Sequence, residues 1–366
     1  MSELEILVEK AQQQLRICNA CRYCEGFCAV FPALERRLEF KQDDVLYLAN
    51  LCHNCGSCYY ACQYAPPHEF NLNFPQTLAR VRAASYEKMA WPAGFAALYR
   101  KNGAFVALAT VLSVIALLAG MSFLIEPWRM FGAHPDMAGA FYAVLPHAMM
   151  AGAFSAVSLF VVVAMAMSLR NFAFPLKGFS VLQALHDAFT LKYLGGGGQG
   201  CAYPDEKPST VRRRFHHLTF YGFLLCFAAT SVATVYHYVL GWKAPYPFFS
   251  LPVLLGTLGG LGLLVGPSGL FFLKRISDRN LSDEKQRGMD DAFLILLFLT
   301  SLTGLALLAL RETNAMGVLL GVHLAIVLAL FLTLPYGKFM HALYRTAALV
   351  RFHVERKLPP PQIGSE

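Results

Sequence analysis

The sequence predicts an all-α protein in two parts, a small N-terminal helical domain and a six-helix transmembrane bundle. Three observations predict it. Eight of the ten cysteines fall between residues 18 and 62, in two copies of one spacing. Six uncharged stretches beyond residue 100 are each long enough to cross a bilayer. All but three of the 31 Lys and Arg residues lie on one side of those stretches.

Composition sets the class. Of 366 residues, 56% are hydrophobic and 15% charged, and the mean hydropathy is +0.45. That is too apolar for a soluble protein and places the chain in a lipid bilayer. A formal net charge of +8 raises nucleic acid as a partner, but the positions of the basic residues argue against it, as shown below.

The first cysteine run is Cys18-Asn-Ala-Cys21-Arg-Tyr-Cys24-Glu-Gly-Phe-Cys28, and the second is Cys52-His-Asn-Cys55-Gly-Ser-Cys58-Tyr-Tyr-Ala-Cys62. Three thiolates at two-residue intervals wrap the corner of an iron–sulfur cube, because a loop of that length brings each sulfur onto a different iron. In two-cluster ferredoxins with this spacing the fourth cysteine ligates the other cluster. The expected sets are therefore Cys18, Cys21, Cys24 and Cys62 for one [4Fe-4S] cluster, and Cys52, Cys55, Cys58 and Cys28 for the other. The Pro usual directly after the fourth cysteine is replaced by Ala29 and Gln63. A zinc site needs four ligands, mostly as two separated pairs, and leaves no role for a third cysteine repeated twice at the same interval. A disulfide framework needs an oxidising compartment, and the start Met-Ser-Glu-Leu-Glu does not resemble a secretory signal.

Around these runs, residues 1–17 carry Leu4, Leu7, Val8, Ala11 and Leu15 at helical spacing. Residues 33–51 read as a second amphipathic helix that begins near Asp43 and Asp44. The cluster domain is thus expected over 1–75. A linker follows over 76–103, helical to residue 90 and broken by Trp91-Pro92 at the approach to the membrane. The transmembrane domain, 104–341, contains spans near 104–125, 141–169, 215–240, 247–273, 292–310 and 313–337. Each meets the roughly 20 residues needed for a hydrocarbon core of about 30 Å. Residues 342–366 are expected to be a tail.

Of the basic residues, only Arg129, Lys243 and Arg311 fall in the loops opposite the N-terminus. This asymmetry predicts both termini in the cytoplasm of a bacterial inner-membrane protein. It also assigns the positive charge to topology rather than to nucleic acid. Trp91, Trp128 and Trp242 all lie near predicted membrane boundaries, as interfacial indoles tend to. The cytoplasmic loop 170–214 holds an amphipathic segment (179–194) and then Gly195-Gly-Gly-Gly-Gln-Gly200. The glycines suit either close backbone approach to a phosphate or partner surface, or a flexible hinge. No Walker loop is formed, since no Gly-Lys-Ser/Thr follows. Cys201 and Cys226 read as non-ligands.

Histidines within spans point to haem. His323 and His341 lie 18 residues apart, about five turns of roughly 3.6 residues, so they share one face. His216 and His237 are about 60° apart, whereas His217 is about 160° from His237. Spans three and six run in opposite directions. His216 is therefore expected to meet His341 at the cytoplasmic level and His237 to meet His323 at the outer level, giving axial pairs for one or two haems b. His217 and His147 are weaker candidates, as suited to the interface as to a metal. With no C-x-x-C-H, such haem is not covalently attached.

Clusters ahead of the bilayer and haem within it describe a wire that reduces a membrane quinone. No Rossmann fingerprint is present, so two-electron chemistry belongs to a partner. The cysteine motifs joined to a six-span domain, with the segments Leu191-Lys-Tyr-Leu-Gly-Gly-Gly-Gly-Gln-Gly-Cys201-Ala-Tyr-Pro-Asp-Glu206 and Arg213-Arg-Phe-His-His217-Leu-Thr-Phe-Tyr-Gly, resemble the tricarballylate-utilisation protein B family, also called citrate-utilisation protein B. The resemblance covers nearly the whole chain. It implies a quinone-reducing electron-transfer subunit that reoxidises the reduced FAD of tricarballylate dehydrogenase. Two alternatives remain at this point: the same relay serving another flavoprotein or a heterodisulfide-type reductase, and a redox-sensing transporter. Arg212 to Arg214, the glycine loop and His186 are quinone-site candidates by their position near the inner surface.

Overall fold

The computed structural model describes residues 2–134, 138–172 and 178–359. Among them the fold is all-α: eleven helices of ten or more residues and one short ladder, Cys201–Ala202 against Pro208–Ser209.

The cluster domain is built on α1 (Glu3–Cys21), α2 (Gln42–Leu51) and α3 (Phe74–Met89). Ser2 caps α1 reciprocally with Glu5: the Ser2 hydroxyl accepts from the Glu5 N–H, and the Glu5 carboxylate accepts from the Ser2 N–H at 2.8 Å. Leu15, Leu48, Leu51 and Leu78 are fully buried between the three helices. The segment expected as a linker is therefore part of the core. Leu78, Val81, Tyr86 and Met89 recur at helical intervals and face inward, and such burial contributes about 2–5 kcal/mol per large side chain.

The six expected spans are all present as helices long and apolar enough to cross a membrane: α4 (Asn102–Leu124), α5 (His147–Arg170), α7 (Val211–Tyr238), α8 (Leu251–Ile276), α9 (Arg287–Leu310) and α10 (Met316–Thr333). They read as a membrane domain. The second starts later than expected because Pro146 separates it from a short helix at Ala140–Val144. The third starts earlier and takes in Arg212 to Arg214. α7 and α8 pack almost backbone to backbone: a Cβ on Gly222 stands 2.9 Å from the Gly259 carbonyl oxygen, so only small residues permit the approach. Cys226 lies in this seam against Gly259, as a small filler.

Between α5 and α7 lies α6 (Gly178–Phe189), the amphipathic helix of the loop. The sixth span breaks before His341. α10 ends at Thr333, a 3-10 turn runs Leu334–Tyr336, and Gly337 is extended (φ −145°). Pro335 has no N–H to continue the helix. A new helix, α11 (Met340–Glu355), then packs on α2 and α6. Residues 342–355 are thus a core element rather than a tail, with Tyr344, Ala348, Leu349 and Phe352 buried. A charge network joins α11 to the cluster domain. Arg37 reaches Asp44 at 2.8 Å and Glu355 at 2.6 Å, and Arg351 reaches the same two carboxylates.

Candidate redox centres

The cysteine runs fold as two turns at helix ends. α1 stops where Arg22 takes a left-handed conformation (φ 56°), its N–H bonding the Cys18 carbonyl, and this brings Cys24 back toward Cys18 and Cys21. In the second run Asn54 and Gly56 (φ 53° and 79°) make the equivalent turn after α2. The Asn54 N–H donates to the Cys52 sulfur at 3.4 Å.

The eight thiols gather in the crossed sets. Cys18, Cys21, Cys24 and Cys62 border a cavity that admits about 260 Å³ of water. Cys28, Cys52, Cys55 and Cys58 border a hollow of about 10 Å³, room for a single water. Burial, then the neighbouring thiols Cys62 and Cys21, pushes Cys24 up to about 12. Burial, then Cys24, Cys62 and Cys21, does the same to Cys18. Cys28 is raised well above the usual thiol range by burial and by Cys55 and Cys52. Thiols crowded in this way ionise together only when a bound metal displaces their protons. Among the described residues no three His, Cys, Asp or Glu side chains converge on a single-ion site.

The second set carries an uncompensated positive charge around it. Arg82 donates to the carbonyls of Cys52 (2.7 Å) and Ala49, and Arg345 to Cys52 (2.9 Å) and Asn50. Arg212 donates to the carbonyls of Asn54 (2.8 Å) and His53 (3.1 Å). None of the three forms an ion pair with a described carboxylate. Guanidiniums at least half-buried and without a counter-charge are costly, and a four-thiolate cube would supply the missing negative charge. The residues present fit the cluster.

The glycine loop lies on this second site. A Cβ on Gly196 (φ 53°) meets the Ser57 hydroxyl at 2.9 Å, and the Ala202 N–H donates to the same hydroxyl. Cys201 is buried beside Cys55, with Leu191 and Leu194. The loop therefore seals a cysteine turn of its own chain.

Of the histidines, His216 and His341 are brought together, with ring centres 6.2 Å apart and planes at 78°. Two metal–nitrogen bonds of about 2 Å and two ring half-widths of about 1 Å set axial imidazoles about 6 Å apart, so this pair fits a haem iron. The His341 Nδ1–H faces the Lys338 carbonyl, which leaves Nε2 free for a metal. Burial, then Arg345 and Lys338, holds the His341 imidazole well below the usual histidine range and so neutral. The pairing does not rest on a shared face with His323, because the helix is broken between them.

The outer level differs from expectation. The His237 ring stacks on His147 at 3.8 Å with planes 20° apart, and its Nδ1 faces the Tyr142 hydroxyl. His323 Nδ1 instead faces Thr303 Oγ1 at 3.1 Å. The helix start at Pro146 sets His147 level with the end of α7, which is why it displaces His323 as the neighbour of His237. Two rings stacked face to face do not bind one iron from opposite sides. His217 lies against Tyr221, away from the His216–His341 pair.

His53 was not singled out by the sequence, although it breaks the symmetry of the runs: Cys-His-Asn-Cys against Cys-Asn-Ala-Cys. It is buried next to Cys52, with Nδ1 2.9 Å from the Leu51 carbonyl and its own carbonyl held by Arg212. It borders the second thiol hollow and is close enough to His216 to interact with it electrostatically.

Two family models match the chain: Citrate utilization protein B over residues 98–362, and the Citrate utilization protein B Fer4-like domain over residues 11–88. The second match takes in α3, in agreement with its place in the core. Citrate utilization protein B of Escherichia coli is 50% identical over 366 aligned residues, covering 97% of this chain and 95% of that protein. No solved structure matches. On its cysteine turns, its six apolar helices and these matches, the chain belongs to the citrate utilization protein B family.

Proposed function

We propose that the chain carries electrons from the reduced FAD of a tricarballylate-oxidising dehydrogenase, through two [4Fe-4S] clusters and a b-type haem, to a membrane quinone. The flavin gives up two electrons and two protons, and the quinone takes up two of each. Cys18, Cys21, Cys24 and Cys62 hold the water-accessible cluster, the one a soluble donor reaches. Cys28, Cys52, Cys55 and Cys58 hold the sealed one, and His216 and His341 hold the haem iron. The donor side is cytoplasmic, as are both termini of this bacterial inner-membrane protein.

One observation carries the reading. Behind the sealed thiol set, His53, Arg212 and Arg345 lead directly to a histidine pair at axial spacing. Iron, acid-labile sulfide and pyridine haemochrome measured on one purified sample test it. The expected result is about eight irons and eight sulfides in clusters, with one haem b reduced by added dehydrogenase and substrate and reoxidised by quinone. Colourless protein, or thiols loaded with zinc, ends the proposal.

A further inference from the structure

A cavity of about 550 Å³ lies between α6 and α11. Lys192, Arg356 and Lys357 line it, against a single lining carboxylate, Asp187. That carboxylate is 4% exposed and already engaged, 2.8 Å from His353 Nε2 and 3.5 Å from Lys192 Nζ. Arg356 is exposed and in no ion pair with a described carboxylate. The cavity is built to take an anion.

Its depth in the membrane is set independently. α6 buries Ser180, Ala184 and Asp187 on one face and exposes Leu182, Leu185 and Phe189 on the other. Its C-terminal end is fixed to the first turns of a spanning helix: the Tyr221 hydroxyl donates to the Phe189 carbonyl at 3.0 Å, and the Phe189 and Phe220 rings are 5.2 Å apart. α6 therefore lies along the bilayer surface with its apolar side toward the acyl chains. Leu182 belongs to both the cavity wall and that apolar side.

We propose that this cavity binds the phosphate of an anionic phospholipid, with the acyl chains running along Leu182, Leu185 and Phe189. A soluble anion has no use for the apolar ledge. A choline headgroup brings its own cation against Arg356 and Lys192. The lipid braces the far end of α11, the helix that presents His341 and Arg345.

The test uses the full-length protein in detergent, delipidated and titrated with phosphatidylglycerol, phosphatidylcholine or inorganic phosphate. Bound lipid is counted by native mass spectrometry. The double variant Lys192→Gln, Arg356→Gln is compared with Arg129→Gln on the opposite side of the bilayer. Two surface cations contribute about 1 kcal/mol each, so phosphatidylglycerol binding weakens about 30-fold in the double variant and not in the control. Unchanged visible absorbance and circular dichroism show that the variant is folded, and Leu182→Ser gives an independent loss of lipid with the cations intact. Equal binding by wild type and double variant overturns the proposal. So does equal binding of phosphatidylcholine, and so does displacement of the lipid by inorganic phosphate, which marks a free-anion site. A quinone retained by wild type and lost from the double variant assigns the cavity to a different occupant and also overturns it.

Discussion

The first cysteine run borders a cavity open to water, with Cys21 and Cys24 near the surface and Gln63 as its polar neighbour. The second run, with the same spacing, is closed by a glycine loop more than 130 residues away in sequence and bordered by three guanidiniums, one buried and two half-buried. Spacing specifies which metal group a turn can hold. The surroundings specify what the proposed group would do: an open, solvated cluster would accept electrons from outside, and a cation-bordered one would hold them more tightly and pass them inward. Positive charge next to a cluster favours its reduced, more negative form and raises its potential.

The comparison can be broken outright at the thiols. Cys52→Ser removes the buried cluster and leaves Arg82, Arg345 and Arg212 facing no counter-charge, at a cost of about 3–5 kcal/mol. Cys18→Ser empties a site where water already enters. Both variants are expected to lose about four of eight irons, but Cys52→Ser also unfolds at a temperature several degrees lower. Equal melting temperatures in a thermal scan refute the asymmetry.

A second test follows the inward path. His341→Ala is expected to abolish the haem band and leave the sealed cluster reduced but unable to discharge to quinone, while acid-labile sulfide and cluster iron stay unchanged. His323→Ala is expected to keep the band, since its imidazole is engaged by Thr303 rather than by a partner histidine. A reduced-minus-oxidised spectrum of each variant decides this.

A third sharpens the electrostatics. Arg345→Gln keeps a donor for the Cys52 carbonyl but removes the charge. The sealed cluster's potential is expected to fall by on the order of 50–100 mV, with the open cluster unmoved, in a titration followed by electron paramagnetic resonance. The smallest effect is expected from Gly196→Ala, where a methyl group meets Ser57 in a left-handed conformation and costs about 1–3 kcal/mol. The lid loosens, and bleaching of the second cluster by oxygen should accelerate toward the rate of the first.

How much of this the sequence discloses depends on whether the signal is local. Eight thiols at fixed intervals and six charge-free stretches are local, and both lead directly to the structure. The roles of α3 and α11 are not, because an amphipathic helix reads the same whether its apolar side meets a neighbouring domain or nothing. Helical phase misleads for His323 and His341 because it presumes a continuous helix, and Pro335 interrupts it. The pairing of His237 with His147 depends on where two different helices end. Arg82, Arg212 and Arg345 come from three distant segments and share a purpose only after folding. His53 alone left a trace, as the residue that makes the second run unlike the first.

Crossed ligation has a consequence for how such a protein is made. Each thiol set borrows its fourth member from the other run, so the first is not complete until Cys62, and the second not until Cys58, has left the ribosome. The lid and two of the three arginines arrive much later, with residues 196, 212 and 345, and once seated they shut the inner hollow. Under the proposed ligation, iron and sulfide would reach the inner hollow in the interval before that closure.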